Sequence, residues 1–340
     1  MTYTCLLVHE TPIDCAQRLE AQGYTPETAR QIASYLDQSH DILPWLDRLE
    51  HAFQTLDLGF RFVEMRSFEE NLAGLDRHST LIWVMTDGFS FHRGAYAMAA
   101  AEQFGLPLLA HDSGLAFLAS DKLRASMLMK GIGAPIPTIS ALPMATEAEA
   151  SCDLFVKPRH LGAKIGIWPD SRCRTPLEAN RLAARIEQTY GDEAFAQAYA
   201  DGDNIRVSFL DTTGAAGPDA LGVYRVVADD DFQTMADSMA LYGQSATISP
   251  PALSNLRAEE PELAAKIADL IWELKRVLGL GGVFSFDLRA DRDHPPVLLE
   301  FEICPGLPCY DFVHYCRDQL GLDLPDAMAS AAASRIDGLG

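Results

Sequence analysis

The sequence is short of positive charge. Its 340 residues hold 27 lysines and arginines against 48 aspartates and glutamates, a formal charge of −21 at pH 7. Phosphate backbones are neutralised by clustered basic side chains, so nucleic acid is excluded as an expected partner. Long apolar runs are also missing. Stretches such as Leu106–Ala110 fall far short of a bilayer span, and no membrane partner is expected. Met1–Val8 lacks a basic n-region and a cleavage site and reads as a first strand rather than a signal peptide. The seven cysteines are an odd number without CxxC spacing. That speaks against a disulfide frame or a zinc site and for reduced thiols in a cytoplasmic protein. Low-complexity tracts and internal repeats are absent.

What the chain does have is concentrated near its C-terminus. Phe284-Ser285-Phe286-Asp287-Leu288 and Val297–Ile303 flank the polar turn Asp291–Pro296, the pattern of a β-hairpin. Residues two apart on a strand share a face, which puts Glu300 and Glu302 on one side with Asp287 able to join them. Phe284, Phe286, Leu298, Leu299 and Phe301 alternate around them in a way that suits burial. Converging carboxylates on a buried hairpin are costly unless a cation lies between them. Hard oxygen ligands suit Mg2+, with Mn2+ as the alternative, and Mg2+ commonly couples carboxylates to phosphate oxygens. This pattern points to ATP.

The order of elements predicts an α/β protein. Strands are expected at Thr4–Val8, Phe60–Met65, Leu81–Met85 and Pro107–Ala110, with helices at Pro44–Leu56 and Ala95–Phe104, hence a mainly parallel sheet in an N-terminal domain over 1–112. A second unit, 113–194, has a helix capped by Asp121, the strand Leu154–Pro158, the loop Arg159–Gly166 and a strand Ile165–Trp168. A third, 195–340, has strands near Phe195–Tyr199, Ile205–Leu210 and Leu221–Val227, a segment Asp229–Pro251 expected to close over the site, the helix Pro261–Leu278 and the hairpin.

Asp121-Lys122, Val156-Lys157-Pro158, Leu161–Gly166, Asp287, Glu300 and Pro305-Gly306 occur in an order that resembles the ATP-grasp superfamily, and within it the D-alanine–D-alanine ligase branch. Asp203–Val207 followed by Val223-Tyr224-Arg225 is also similar to glutamate ligases that act on ribosomal proteins and amino-group carriers. The resemblance implies an ATP-grasp fold, with an N-terminal parallel-sheet domain and two α+β lobes sandwiching ATP. It implies that Lys122, Lys157 and the loop with Gly162, Ala163 and Gly166 hold the phosphates. It also implies that the hinge Gln197-Ala198-Tyr199-Ala200 reads the adenine and Asn204 lies near the ribose. The family usually has glutamates at the positions of Gln197 and Asn204. Asp287, Glu300 and Glu302 match the metal positions, the last normally asparagine; the added charge of Glu302 is expected to strengthen metal binding.

The substrate end departs from the pattern. Ser285 stands where the ligases have an arginine that stabilises the acyl-phosphate, and Arg206 or Arg225 is expected to supply the charge instead. Leu241 matches a lysine of the mobile loop. Asp311 matches a serine that helps hold the second substrate's carboxylate, so Asp311 and the neighbouring Gly306 are expected at the acceptor pocket and D-alanine is expected to be a poor acceptor. Glu10 follows the first strand, where a family glutamate holds an amino group, and His92 lies in the place of a substrate-facing His-Gly loop. The expected activity is an ATP-dependent carboxylate–amine ligase, ADP-forming, acting through an acyl-phosphate on small carboxylate and amine substrates, with a homodimer as a further expectation. The alternatives are a kinase on the same fold and a non-catalytic nucleotide-binding regulator.

Overall fold

The computed structural model describes residues 3–37, 42–145, 153–213, 217–227, 232–236, 252–307 and 309–339. Three sheets carry the architecture. β1 (Thr4–His9) lies between β2 (Gly59–Glu64) and β3 (Thr80–Val84), all parallel. Cys5–Val8 of β1 and Leu81–Val84 of β3 are apolar and buried, as strands covered on both faces must be. Pro107–Ala110 contributes only a single bridge, Leu108 to Ile82; Pro107 has no N–H to extend a ladder.

The second sheet has the order β4-β7-β5-β6, with β4 at Ile139–Ser140, β5 at Leu154–Pro158, β6 at Arg172–Cys173 and β7 at Ala194–Ala198. β7 pairs antiparallel with β5 from Leu154↔Ala198 to Pro158↔Ala194. A division after residue 194 therefore cuts this sheet, and β7 belongs with the central unit. The expected strand Ile165–Trp168 is not formed. Ala163 and Lys164 adopt left-handed backbone (φ 48° and 63°), which curls the chain into turns closed by Ile165 N–H to Gly162 O and Ile167 N–H to Lys164 O.

The third sheet runs β10-β9-β8-β11-β12, comprising β8 (Asp203–Leu210), β9 (Gly222–Val227), β10 (Ala252–Asn255), β11 (Val283–Ala290) and β12 (Val297–Glu302). One face of its centre is apolar: Ile205, Val207 and Phe209 meet Phe284, Phe286 and Leu288 and pack on the helix Pro261–Leu278. The opposite face carries Asn204, Arg206 and Ser208 beside Arg289, Asp287 and Ser285, in that register. Strand alternation thus sorts core from site within one pair of strands. No described helix is long and apolar enough to cross a membrane.

Gly94 begins the helix that follows the loop 86–93, and a Cβ there would stand 1.7 Å from the Thr86 carbonyl oxygen. Backbone cannot yield as a side chain tip does. Gly94→Ala is expected to cost on the order of 3 kcal/mol, read as a lowered urea midpoint. An unchanged midpoint would mean that the loop does not pack as described.

Candidate active site

Asp121 anchors the end of the site that carries Lys122. It caps the helix Lys122–Gly131 by accepting from Arg124 N–H, and it receives both Nε and Nη2 of Arg159 at 2.7 Å. The fork ties the start of the loop 159–166 to the helix that carries Lys122. Gly162 lets the loop lie against the Tyr35 ring, where a Cβ would come within 2.7 Å. Lys122 donates to Leu161 O at 2.7 Å. Its Nζ and that of Lys157 lie 4.0 and 3.9 Å from the same oxygen of Glu300. Burial pushes the Lys157 ammonium below its usual range, Glu300 opposing and Lys122 adding to the shift. Burial also acts to raise the Glu300 carboxyl, but Lys122, Lys157 and Arg206 together outweigh it and hold Glu300 below the ordinary range.

Lys122, Lys157, Gly162, Ala163, Asn204, Arg206, Asp287 and Glu300 line one cavity between the second and third sheets. An adjoining hollow is lined by Gln197, Tyr199 and Ala200, together with Asn204. Within the hinge the N–H groups of Ala198 and Tyr199 are already given to Thr138 O and Asp153 O. Those two donors are not available to a base, which corrects that part of the expectation. Gly166 ends the loop 159–166 at φ 77° and is not among the residues that line this cavity.

Asp287 and Glu300 face each other across the hairpin, as the alternation predicts. The expected convergence of three carboxylates on a metal does not hold, because Arg206 stands among them. Its Nη2 donates to Glu302 at 2.9 Å and to Ser285 Oγ at 3.2 Å, its Nη1 lies 3.3 Å from Asp287, and its Nε donates to Asp311 at 2.8 Å. Burial works against the guanidinium charge, but Asp311, Asp287 and Glu302 outweigh it and hold Arg206 charged. Glu302 also accepts from Ser285 Oγ at 2.9 Å, so its extra charge is matched by Arg206 rather than left over for a metal. Among the described residues no group of three or more His, Cys, Asp or Glu side chains is placed to hold a metal ion. Asp287 and Glu300 still fit one, since Mg2+ needs only one or two carboxylates when phosphate oxygens and water complete its shell.

Several expected substrate residues do other work. Asp311 is fully buried, gripped by Arg206 and by Ser208 Oγ at 2.6 Å, and does not face an acceptor pocket. It is a positioning residue for Arg206. Arg225 is held by Asp203 and Glu260, each at 2.6 Å, and does not line the cavity. Glu10, nearly buried, accepts from Arg18 at 2.8 Å and from Arg93 N–H at 3.1 Å, which fixes the loop 86–93 to β1. The Gly306 carbonyl accepts from Cys309 N–H in the turn entering the helix Tyr310–Tyr315. Leu241 and most of the segment 229–251 lie outside the described residues.

His92 does reach a pocket beside Lys122 and Glu300, lined also by Tyr35, Asp87, His160 and Glu302. Asp87 escaped the sequence reading, although its loop was singled out. The Tyr35 hydroxyl donates to it. Burial, with Glu302 nearby, pushes the Asp87 carboxyl up to about 6. Burial also pushes the His92 imidazole down to about 3, leaving it neutral at ordinary pH.

Lys157→Ala is expected to weaken binding of ATP far more than of adenosine if, as the resemblance implies, the phosphates and not the base meet its ammonium. Parallel titrations with the two ligands decide this. Equal losses would mark Lys157 as a structural residue.

No family model matches the chain. Similar curated proteins include a D-alanine–D-alanine ligase of Bordetella petrii, 26% identical over 251 residues, spanning 70% of this chain and 71% of that protein. Another, from Azoarcus, is 29% identical over 219 residues, 63% of this chain and 66% of that one. Among solved structures, the D-alanyl-alanine synthetase A of Vibrio cholerae superposes with a TM-score of 0.68 at 14% identity, covering 99% of both chains. The D-alanine–D-alanine ligase of Bacillus anthracis complexed with ATP does so with a TM-score of 0.64 at 12% identity, covering 100% of both. The chain has the ATP-grasp fold of the D-alanine–D-alanine ligases, and its sequence is similar to theirs over about 70% of its length.

Proposed function

We propose that the chain is an ATP-dependent ligase that joins a small carboxylate to an amine through an acyl-phosphate. One observation carries the reading: Asp287 and Glu300, opposed in the hairpin, line the same cavity as Lys122 and Lys157. Hard anions facing two ammonium groups, with a glycine-containing loop alongside, form a place for a polyphosphate and its divalent ion. Lys122, Lys157 and the backbone of 162–164 hold the triphosphate, while Asp287 and Glu300 hold Mg2+. When bound, the ion supplies neutralisation of the charge on the transferring phosphoryl group.

The chain needs no nucleophile of its own. A carboxylate oxygen of the acid attacks the γ-phosphorus, the bond to ADP breaks, and the acyl-phosphate forms. The amine nitrogen, as the free base, then attacks the acyl carbon, phosphate leaves and takes up the proton that the nitrogen loses, and an amide results. Charge builds on the acyl oxygen in that step. Arg206 is the half-buried cation nearest the hairpin carboxylates and is assigned to meet it, held in place by Asp311, which Ser208 holds in turn. In this way β8 supplies the charge that the family carries at the position of Ser285, so the loss at 285 does not argue for a silent regulator.

Product analysis tests the reading. With ATP, Mg2+ and a panel of acids, hydroxylamine should trap the acyl-phosphate as a hydroxamate, in step with ADP. ADP accompanied by a phosphate ester would make the protein a kinase, and no turnover with tight nucleotide binding would make it a regulator.

A further inference from the structure

The pocket between the N-terminal domain and the hairpin shares Lys122, Gly162 and Glu300 with the nucleotide cavity, so whatever occupies it sits against the reacting phosphoryl group. Its own side-chain donors are engaged elsewhere. Ser120 Oγ donates to Ala116 O at 2.8 Å, the Tyr35 hydroxyl donates to Asp87, and Lys122 gives one N–H to Leu161 O at 2.7 Å and its others, on the reading above, to the triphosphate. His160 faces Asp192, with Nδ1 2.7 Å from its carboxylate.

What remains is acceptors. Tyr35 takes one oxygen of Asp87, and among the described residues nothing donates to the other. Arg206 and Ser285 share one oxygen of Glu302, leaving its partner oxygen open. His92 is 3% exposed, with Nε2 3.3 Å from Ile32 O. A carbonyl only accepts, so Nε2 carries the proton and Nδ1 presents a lone pair. No described residue donates to that lone pair. Two carboxylate oxygens and an imidazole nitrogen without donors make a poor site for an anion and a good one for an ammonium, which brings three N–H donors and a positive charge.

Resting on the ligase reading above, we infer that Asp87 and His92 recognise the amine substrate by its ammonium group, which sheds a proton before the nitrogen attacks, and that this substrate is a cationic amine that carries no carboxylate. Simple alkylamines, amino alcohols and diamines belong to that class. Amino acids do not, because their carboxylate would share the pocket with Asp87 and Glu302.

Calorimetric titration of the full-length protein, saturated with a non-hydrolysable ATP analogue and Mg2+, tests this. The wild type should bind 1,4-diaminobutane saturably and 4-aminobutanoate, of equal length, at least tenfold more weakly. Asp87→Asn should lose at least tenfold in affinity for the diamine. The wild-type comparison stands even if the variant folds poorly. Equal or tighter binding of 4-aminobutanoate, an unaltered diamine affinity in Asp87→Asn, or no diamine binding to the nucleotide-loaded wild type would each overturn the inference. Failure of the nucleotide analogue itself to bind would overturn the ligase reading beneath it.

Discussion

Replacing Glu300 with glutamine is expected to lower ADP release at saturating Mg2+ by roughly 100- to 1,000-fold while leaving the thermal midpoint nearly unchanged. The substitution keeps shape and removes a charge that lies about equally far from Lys122 and Lys157, 4.0 and 3.9 Å. Without it, the metal loses a ligand and the lysines lose their common counter-ion. Asp287→Asn, across the hairpin, should behave alike. Glu302→Gln should act differently, since its main partners are Arg206 and Ser285. Its loss should leave the Mg2+ requirement in place. Near-normal turnover in Glu300→Gln would remove the hairpin from the chemistry.

Arg206→Ser should be as damaging, by roughly 100- to 1,000-fold in turnover if the guanidinium meets the acyl oxygen. This variant strands the buried Asp311, and removing one partner of a buried pair costs about 3–5 kcal/mol, so stability must be measured beside rate. The double variant with Ser285→Arg separates the two effects. Ser285 is already hydrogen bonded to Arg206, and it faces Ser208 on the neighbouring strand. An arginine from position 285 therefore enters the same polar row. Recovery to within about tenfold of the wild type would show that the charge matters and the strand of origin does not. A double variant no faster than the single one would assign Arg206 to structure alone.

Much of this site was legible because strand alternation is a strong local rule. The spacing of Phe284, Phe286 and Leu288 against Ser285 and Asp287 predicted the hairpin and its faces, and the register Asp287↔Glu300 follows. The capped helix at Lys122 was legible for the same reason: Asp121 acts on a donor three residues away. Pairings distant in the chain were not. β7 joins β5 across some forty residues of sequence, which is why the boundary at 194 falls inside a sheet. Asp311 was read as facing substrate because of the serine it replaces. Only the fold reveals that Ser208 and Arg206, more than a hundred residues earlier, enclose it. The signal that could have paired them is the polar row Asn204, Arg206, Ser208 alternating with the apolar Ile205, Val207 and Phe209. The added charge of Glu302 looked like a stronger metal site for the same reason, until its partner Arg206 came into view. Asp87 lay in a loop already singled out, but its meaning depends on Tyr35, from another part of the N-terminal domain.

The most direct test of the central claim follows an oxygen atom. An acid that gives a hydroxamate is supplied with both carboxylate oxygens labelled as 18O, together with ATP, Mg2+ and an accepted amine, and the released phosphate is analysed by mass. Attack of the carboxylate on the γ-phosphorus, followed by displacement at the acyl carbon, predicts one 18O in each phosphate and one in each amide. Unlabelled phosphate would mean that water, not the acid, attacks ATP, and would contradict the account.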